Sequence, residues 1–368
     1  MPTPVPRSPA IFEIDHLPNR AIRHDGRDYL FFSGTSYLGM AQNRRMQALL
    51  VEGMARYGLQ FGSSRNGNLQ LSIYDEFETI LSKWVSIGRS ALTVSSGMLA
   101  GQIVVDWLAN ELGPAAVGFQ APGTHPALWH PLLKPHIMPL VADDMLAMLA
   151  QTPALSPVYV LTNSVDAIRS VYYDFSWLRN IRDRPVWVVV DDSHGLGVLN
   201  GGRGIGPELD EWIVNTMPNV QLIVTASLAK AMGLPGGVVF SDPDTLATLR
   251  RTAYFGACSP MPPAYAYAYL ESDWQYRQAY EQLTKNVALA EKLLCPSGLF
   301  SHAPGYPVFY TEHDELALYL LEKGIFIYSF AYPTAADKAN TRIVISALHQ
   351  PEDLIELARH VNEFARLR

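Results

Sequence analysis

With 368 residues, 48% hydrophobic and 17% charged, the chain can bury an enzyme-sized core and lies far from the composition of disordered segments. A formal net charge of −7 and the lack of any Lys/Arg-rich run exclude a phosphate-backbone footprint, so nucleic acid is not an expected partner. The two cysteines, Cys258 and Cys295, are too few for a disulfide framework and lack metal-ligand spacing, so no metal and a reducing, cytoplasmic setting are expected.

The N-terminal stretch MPTPVPRSPAIFEIDHLPNR has neither a charged n-region nor an apolar h-region. No later run reaches the roughly 18 apolar residues of a membrane span, so neither standard export nor membrane insertion is expected. Apolar residues at three-to-four spacing predict amphipathic helices over Arg44 to Tyr57 and Tyr74 to Val85, flanking the segment QFGSSRNGN. From there to about residue 240 short β-rich runs alternate with helical ones: ALTVSS, GMLAGQIVVDWLANEL, SPVYVLTNS, PVWVVVDD, QLIVTAS and GGVVFSD. The β-runs are almost continuously apolar, as in a sheet covered on both faces, which predicts an α/β fold with a mostly parallel sheet. After SPMPPAYAYAYL come helical stretches, short β-like runs (YPVFYT, GIFIYSF, TRIVIS) and a terminal helix from Pro351. The expected division is an N-terminal segment over 1–45 packing with the small domain, a large domain over 46–261 and a smaller α/β domain over 262–368.

Three motifs carry chemistry. SLAKAMGLPGG follows the apolar run QLIVTA and puts Lys230 at a strand end among small residues, where its amine can meet a flat cofactor unobstructed. Taken alone, a surface lysine before a Gly-rich turn explains it equally well. VVVDDSHGLG places Asp191 and His194 just past a buried strand, the end at which open α/β sheets bind ligands. A carboxylate there keeps a pyridine nitrogen protonated, the condition under which pyridoxal 5′-phosphate (PLP) acts as an electron sink. One such residue is commonly an N-cap or a structural histidine; three polar groups together are less so. SSGMLAG, with Ser96, Gly97 and Met98, is a strand-to-helix junction whose backbone N–H groups suit a phosphate, though Ser-Gly is also an ordinary helix start. His125, in GTHPALW, can stack on a flat ring; a lone histidine between Thr and Pro is more often a loop residue.

The order of these elements, phosphate turn, His, Asp-x-x-His, Lys, resembles the fold-type I PLP-dependent enzymes, and within the class I/II aminotransferase relatives the α-oxoamine synthase group. The resemblance runs from about Asp28 to the C-terminus. DYLFFSGTSYLGM is similar to that group's N-terminal strand and N-D-Y-L-G motif, with Thr35 and Ser36 for Asn-Asp. YGLQFGSSRNGN resembles its glycine-rich segment, FGACSPMPPA its Ser/Thr-Pro stretch, and TRIVISALHQPEDLIEL its terminal R-x-R-x-x-x-T-A-x-H segment.

The resemblance implies a large PLP-binding domain and a small C-terminal one. It makes Lys230 the Schiff-base lysine and the acid/base for the α-proton, pairs Asp191 with the pyridinium nitrogen, sets His194 at the ring hydroxyl and stacks His125 on the ring. Phosphate would be held by the Ser96–Met98 turn, through the backbone of Gly97 and Met98, by Ser227, and by Ser259 from a second subunit, which implies a homodimer with shared sites. Arg342 would bind the amino-acid carboxylate, as its planar fork allows.

Four positions depart from the pattern: Tyr74 replaces the histidine of H-x-x-L-E, NSVDAIRSV replaces E-G-V-F-S-M-D-G-D so that Ala167 stands for a serine, Asn340 replaces the first arginine of R-x-R, and little chain precedes the first strand. The implied activity is condensation of an amino acid with an acyl thioester, with the carboxylate lost or kept; alanine and a pimeloyl thioester would place the product in biotin synthesis. An aminotransferase or another amino-acid-processing PLP enzyme is the alternative on the same scaffold. A non-catalytic PLP-fold subunit is a third reading, motivated by the altered run at 163–171 and opposed by the retention of Lys230, Asp191 and His194.

Overall fold

The five apolar runs join two strands that the sequence pattern did not mark, Val117–Gln120 and His136–Ile137, in one seven-stranded sheet, in spatial order Ser90–Val94, Gly237–Ser241, Val220–Ser227, Val186–Asp191, Val158–Asn163, Val117–Gln120 and His136–Ile137. The structure, a computed structural model, describes residues 11–85, 88–139, 142–153, 156–180, 184–216, 219–331 and 337–368. All strands of this sheet run parallel except Gly237–Ser241, which is antiparallel to both neighbours. Every residue of Val158–Asn163 is buried, as expected of a central strand with both faces covered. Among the described residues no helix is long and apolar enough to cross a membrane.

Two compact units divide the chain. The larger spans Ser36–Ala167 and Val171–Glu281 and holds the sheet; the smaller gathers the described residues up to Thr35, Ile168–Ser170 and Gln282–Arg368.

In the larger unit, helix Arg44–Tyr57 is capped by Asn43, whose Oδ1 accepts from the N–H of Arg45 and Met46, and it stops at Gly58, φ 76°. Helix Ser72–Val85 begins two residues before the periodicity places it. Between the two, Arg65 fixes the glycine-rich segment: its guanidinium is 5% exposed and pairs with both carboxylate oxygens of Glu78 and, at 3.2 Å, with Asp75. Tyr74 donates its hydroxyl to the Met261 carbonyl at 2.7 Å. Helix Gly97–Leu112 lays Ile103, Val104 and Leu108 on Leu92, Leu161, Val189, Ile223 and Val239 of the sheet, all almost fully buried.

The smaller unit is built on two three-stranded sheets. Ala21–His24 and Arg27–Phe31 form a hairpin whose turn, Asp25-Gly26, takes φ 49° and 76°, as an Asp-Gly hairpin turn requires. The run GIFIYSF is not one strand: Ile325–Phe326 joins that hairpin, while Tyr328–Ala331 joins Ala339–Val344 in the second sheet with Val308–Thr311. The histidine of the terminal segment, His349, is a core residue. It stacks on Phe32 at 4.1 Å, bonds the Phe31 carbonyl through Nε2, and burial drives its pKa down to about 4, so it is neutral. Helix Pro351–Arg366 then starts from a reciprocal cap between Gln350 and Asp353.

One glycine locks the sheet to the helix that leaves it. A Cβ on Gly237 would lie 2.3 Å from the Ser96 carbonyl oxygen and 2.7 Å from the Gly97 nitrogen, both backbone atoms with no room to yield. Gly237→Ala is expected to cost about 1–3 kcal/mol through overpacking, read as a lower urea midpoint with an unchanged m-value.

Candidate active site

Strand register brings the motifs to one edge. Asn163, Asp191 and Thr225 are paired across three parallel strands, and Ser227 and Val94 both pair with Gly237, the first residue of the antiparallel strand between them, so the carboxyl ends of the parallel strands line up beside the amino end of the antiparallel one. The segments that follow these ends carry Ser96, Gly97, His125, His194 and Lys230, at the edge where open α/β sheets bind ligands.

Helix Gly97–Leu112 starts here, with Ser96 Oγ accepting from Leu99 N at 3.1 Å. A Cβ on Gly97 would stand 2.5 Å from Ser227 Cβ and 3.0 Å from its Oγ, so only glycine lets this helix start approach Ser227. Two candidate phosphate ligands therefore lie side by side, with the unpaired N–H groups of a helix start beside a hydroxyl. The Met98 side chain is exposed, which leaves its backbone N–H as the contribution it can make.

Lys230 lies half-buried in a tight loop after Ser227: Leu228 N bonds Gly236 O at 3.0 Å and Gly233 N bonds Lys230 O at 3.1 Å. Gly233 and Gly236 have φ 65° and 122°, backbone that a side chain would strain, which is why the motif is rich in glycine.

Asp191 is 7% exposed and accepts from Ser193 N at 2.9 Å; Ser193 Oγ in turn accepts from Ser227 N at 2.8 Å, joining the acid's loop to the lysine's. His125 Nδ1 lies 3.7 Å from Asp191 Oδ2, but it accepts from Ala127 N at 3.1 Å. Burial lowers the His125 pKa, and the Lys230 charge lowers it further against the pull of Asp191. The ring is therefore neutral and does not form an ion pair, as a stacking group should be. His125 N donates to Asn163 Oδ1 at 3.2 Å, and Asn163 Nδ2 to the Gly123 carbonyl at 2.9 Å, so Asn163 sets the loop. His194 Nδ1 lies 2.8 Å from the Tyr37 hydroxyl.

The structure thus brings Ser96, Gly97, His125, Asp191, His194, Ser227 and Lys230 to one end of one unit. Ser259 is exposed; its neighbour Cys258 bonds Ser95 at 3.2 Å, so this stretch runs beside the Ser-Ser-Gly turn of its own chain. Arg342 belongs to the smaller unit, 8% exposed on strand Ala339–Val344 between Tyr310 and Tyr328. Sequence reasoning missed Tyr37, Asn163 and Ser193. Each sits inside a motif already quoted, and Ser193 adjoins His194.

The parts match the chemistry of PLP: an amine, a carboxylate for the ring nitrogen, a flat neutral ring and a helix start that only glycine permits. These features define an α/β protein built to hold a phosphorylated aromatic cofactor at the strand ends. The chain belongs to the class I and II aminotransferase family, whose model matches residues 131–361. It is 29% identical to the 8-amino-7-oxononanoate synthase of Photobacterium profundum, over 94% of this chain and 90% of that protein. It is also 29% identical to the enzyme of the same name from Nitrosomonas europaea, over 98% and 95%. The fold is that of fold-type I PLP transferases. A serine palmitoyltransferase from S. paucimobilis, solved with bound PLP-myriocin aldimine, superposes with a TM-score of 0.81 at 16% identity, over 97% of this chain and 92% of that one.

Beside Asp191 lies a second acid, Asp192, 1% exposed, whose Oδ2 accepts from Ile205 N at 2.9 Å. Burial pushes its pKa up to about 7, helped by the neighbouring Asp191 charge. In the unfolded chain an aspartate titrates near 3.9. The folded state therefore holds a proton that the unfolded state has lost, so this residue's contribution is complete below that value and falls as pH rises through about 7. Asp192→Asn is expected to gain stability relative to wild type between pH ~4 and ~7. Urea unfolding across that range checks the slope, and parallel curves for the two proteins would contradict the shift.

Proposed function

We propose that this protein is a PLP-dependent α-oxoamine synthase, condensing an amino acid with an acyl thioester, and that Lys230 carries the cofactor. The observation that carries the reading is the alignment of Asp191, His125, Lys230 and the Gly97–Ser227 contact at one sheet edge. The relatives named as 8-amino-7-oxononanoate synthases support it and favour alanine and a pimeloyl thioester as substrates, with a product in biotin synthesis. When bound, PLP supplies an electron sink for negative charge at the amino-acid α-carbon.

The chain's own residues do the rest. Asp191, nearly buried and held by Ser193 N, would pair its carboxylate with the ring nitrogen. His125 offers a neutral face on which the ring stacks. Gly97, Met98 and Ser227 bind the phosphate through backbone N–H groups and one hydroxyl, with Ser96 capping the helix. Lys230 would hold the cofactor through its Nζ, and as a free amine it would serve as the base and acid for the α-proton. His194 donates to the ring oxygen. Arg342 binds the substrate carboxylate. Ser259 completes the phosphate site of a second subunit in a homodimer. A cytoplasmic location fits the two unpaired cysteines.

Incubation with PLP, borohydride reduction and peptide mapping test the cofactor: the reduced adduct is expected on the peptide containing Lys230 and absent from Lys230→Ala. A colourless protein that takes up no PLP would overturn the reading. Asp191→Asn is expected to retain PLP and lose about 100-fold or more in turnover. Release of free CoA from acyl-CoA in the presence of an amino acid supports the synthase; amino transfer to a 2-oxo acid without CoA release assigns an aminotransferase instead.

A further inference from the structure

Tyr37 plays no part in the chemistry above, yet it is fully buried with its hydroxyl 2.8 Å from His194 Nδ1. In its segment Leu38 and Met40 are buried as well, and a turn closes from Gly39 N to Ser36 O at 2.9 Å with Gly39 at φ 64°. The segment is also wedged between two functional loops. A Cβ on Gly197 would lie 3.4 Å from Leu38 Cδ1, and one on Gly233 would lie 2.7 Å from Ala41 N and 3.0 Å from Met40 Cβ. One side is the loop of His194, the other that of Lys230.

We propose that Tyr37 is a positioning residue that fixes the tautomer of His194, holding the imidazole proton on Nε2. A phenol hydroxyl donates better than it accepts, because its lone pair is delocalised into the ring, whereas an unprotonated imidazole nitrogen is a strong acceptor. The Tyr37 hydroxyl therefore donates to Nδ1, and Nε2 carries the remaining proton. His125 is held the same way, its Nδ1 accepting from Ala127 N at 3.1 Å. Both histidines at this edge then present Nε2–H. The consequence for cofactor binding rests on the PLP reading: an Nε2–H donor matches an anionic ring oxygen, while the other tautomer would turn a lone pair toward it. The tautomer itself does not rest on that reading.

The test uses the full-length protein with 15N-labelled histidine, free of cofactor, at a pH where the ring is neutral. Long-range 1H–15N correlation distinguishes the tautomers, and the His194 signals are assigned by their loss in His194→Gln. Wild type is expected to show the Nε2–H pattern. Tyr37→Phe is expected to shift it toward a mixture and to weaken PLP binding roughly 2- to 10-fold, the range of one net hydrogen bond. An Nδ1–H pattern in wild type, or an unchanged pattern or PLP affinity in Tyr37→Phe, would overturn the proposal. If Tyr37→Phe does not fold, the wild-type spectrum alone decides. A protein that takes up no PLP but shows the Nε2–H pattern would remove the cofactor reading and leave the tautomer assignment standing.

Discussion

The candidate site depends on one steric constraint, the close approach of a helix start to the end of the sheet. Gly97 meets Ser227, and Gly237 meets the Ser96 carbonyl, at distances no side chain could share. These contacts seat the first turn of helix Gly97–Leu112 on the carboxyl end of Val220–Ser227 and the amino end of its antiparallel neighbour Gly237–Ser241. Ser96 takes the N–H groups of Leu99 and Ala100 on its Oγ and its carbonyl oxygen, which leaves those of Gly97 and Met98 without an acceptor in the helix. The antiparallel strand Gly237–Ser241 makes the arrangement possible, because it returns from the Lys230 loop directly beside Ser90–Val94, the strand that feeds the helix.

Around that contact the electrostatics divide the polar groups into kinds. Asp191 sits at the rim with a backbone donor, where a negative charge can face a positive nitrogen. Asp192, one residue on, is turned into the protein and kept near neutrality by burial while it ties down the chain at Ile205. Asp191 is the last residue of its strand and Asp192 the first of the loop that bonds Ile205 N, so two adjacent acids acquire different partners. The neutral His125, pressed by burial and by the Lys230 charge, completes a site with one anion, one cation and one flat uncharged ring.

Two of the departures from the α-oxoamine synthase pattern have local accounts. Tyr74, where that pattern has histidine, is fully buried and bonds Met261 O, tying the helix after the glycine-rich segment to the Pro-rich stretch. Asn163, at the start of the altered run, bonds both sides of the His125 loop with its amide, which a carboxylate could not do because it lacks a donor. Asn340 is buried in a strand of the smaller unit, and nothing in the structure explains why it replaces arginine.

The sequence by itself determined five of the seven strands of the large sheet and the helices that flank the glycine-rich segment. Continuous apolar runs mark central strands, three-to-four spacing marks helices, and the order of Gly97, His125, Asp191 and Lys230 along the chain marked the kind of site, because these patterns are local. It marked GIFIYSF as β-like but not its division between two sheets, since a run of one propensity can serve both when its neighbours differ. Tertiary structure alone decided the rest. That Asn163, Ser193 and Tyr37 reach the site depends on strand register and on loops meeting from distant parts of the chain. That Asp192 is an inner acid and His349 a core residue depends on burial, which two identical side-chain types do not announce. Local pattern specifies which groups lie at strand ends; only packing assigns each its protonation, its partner and its task.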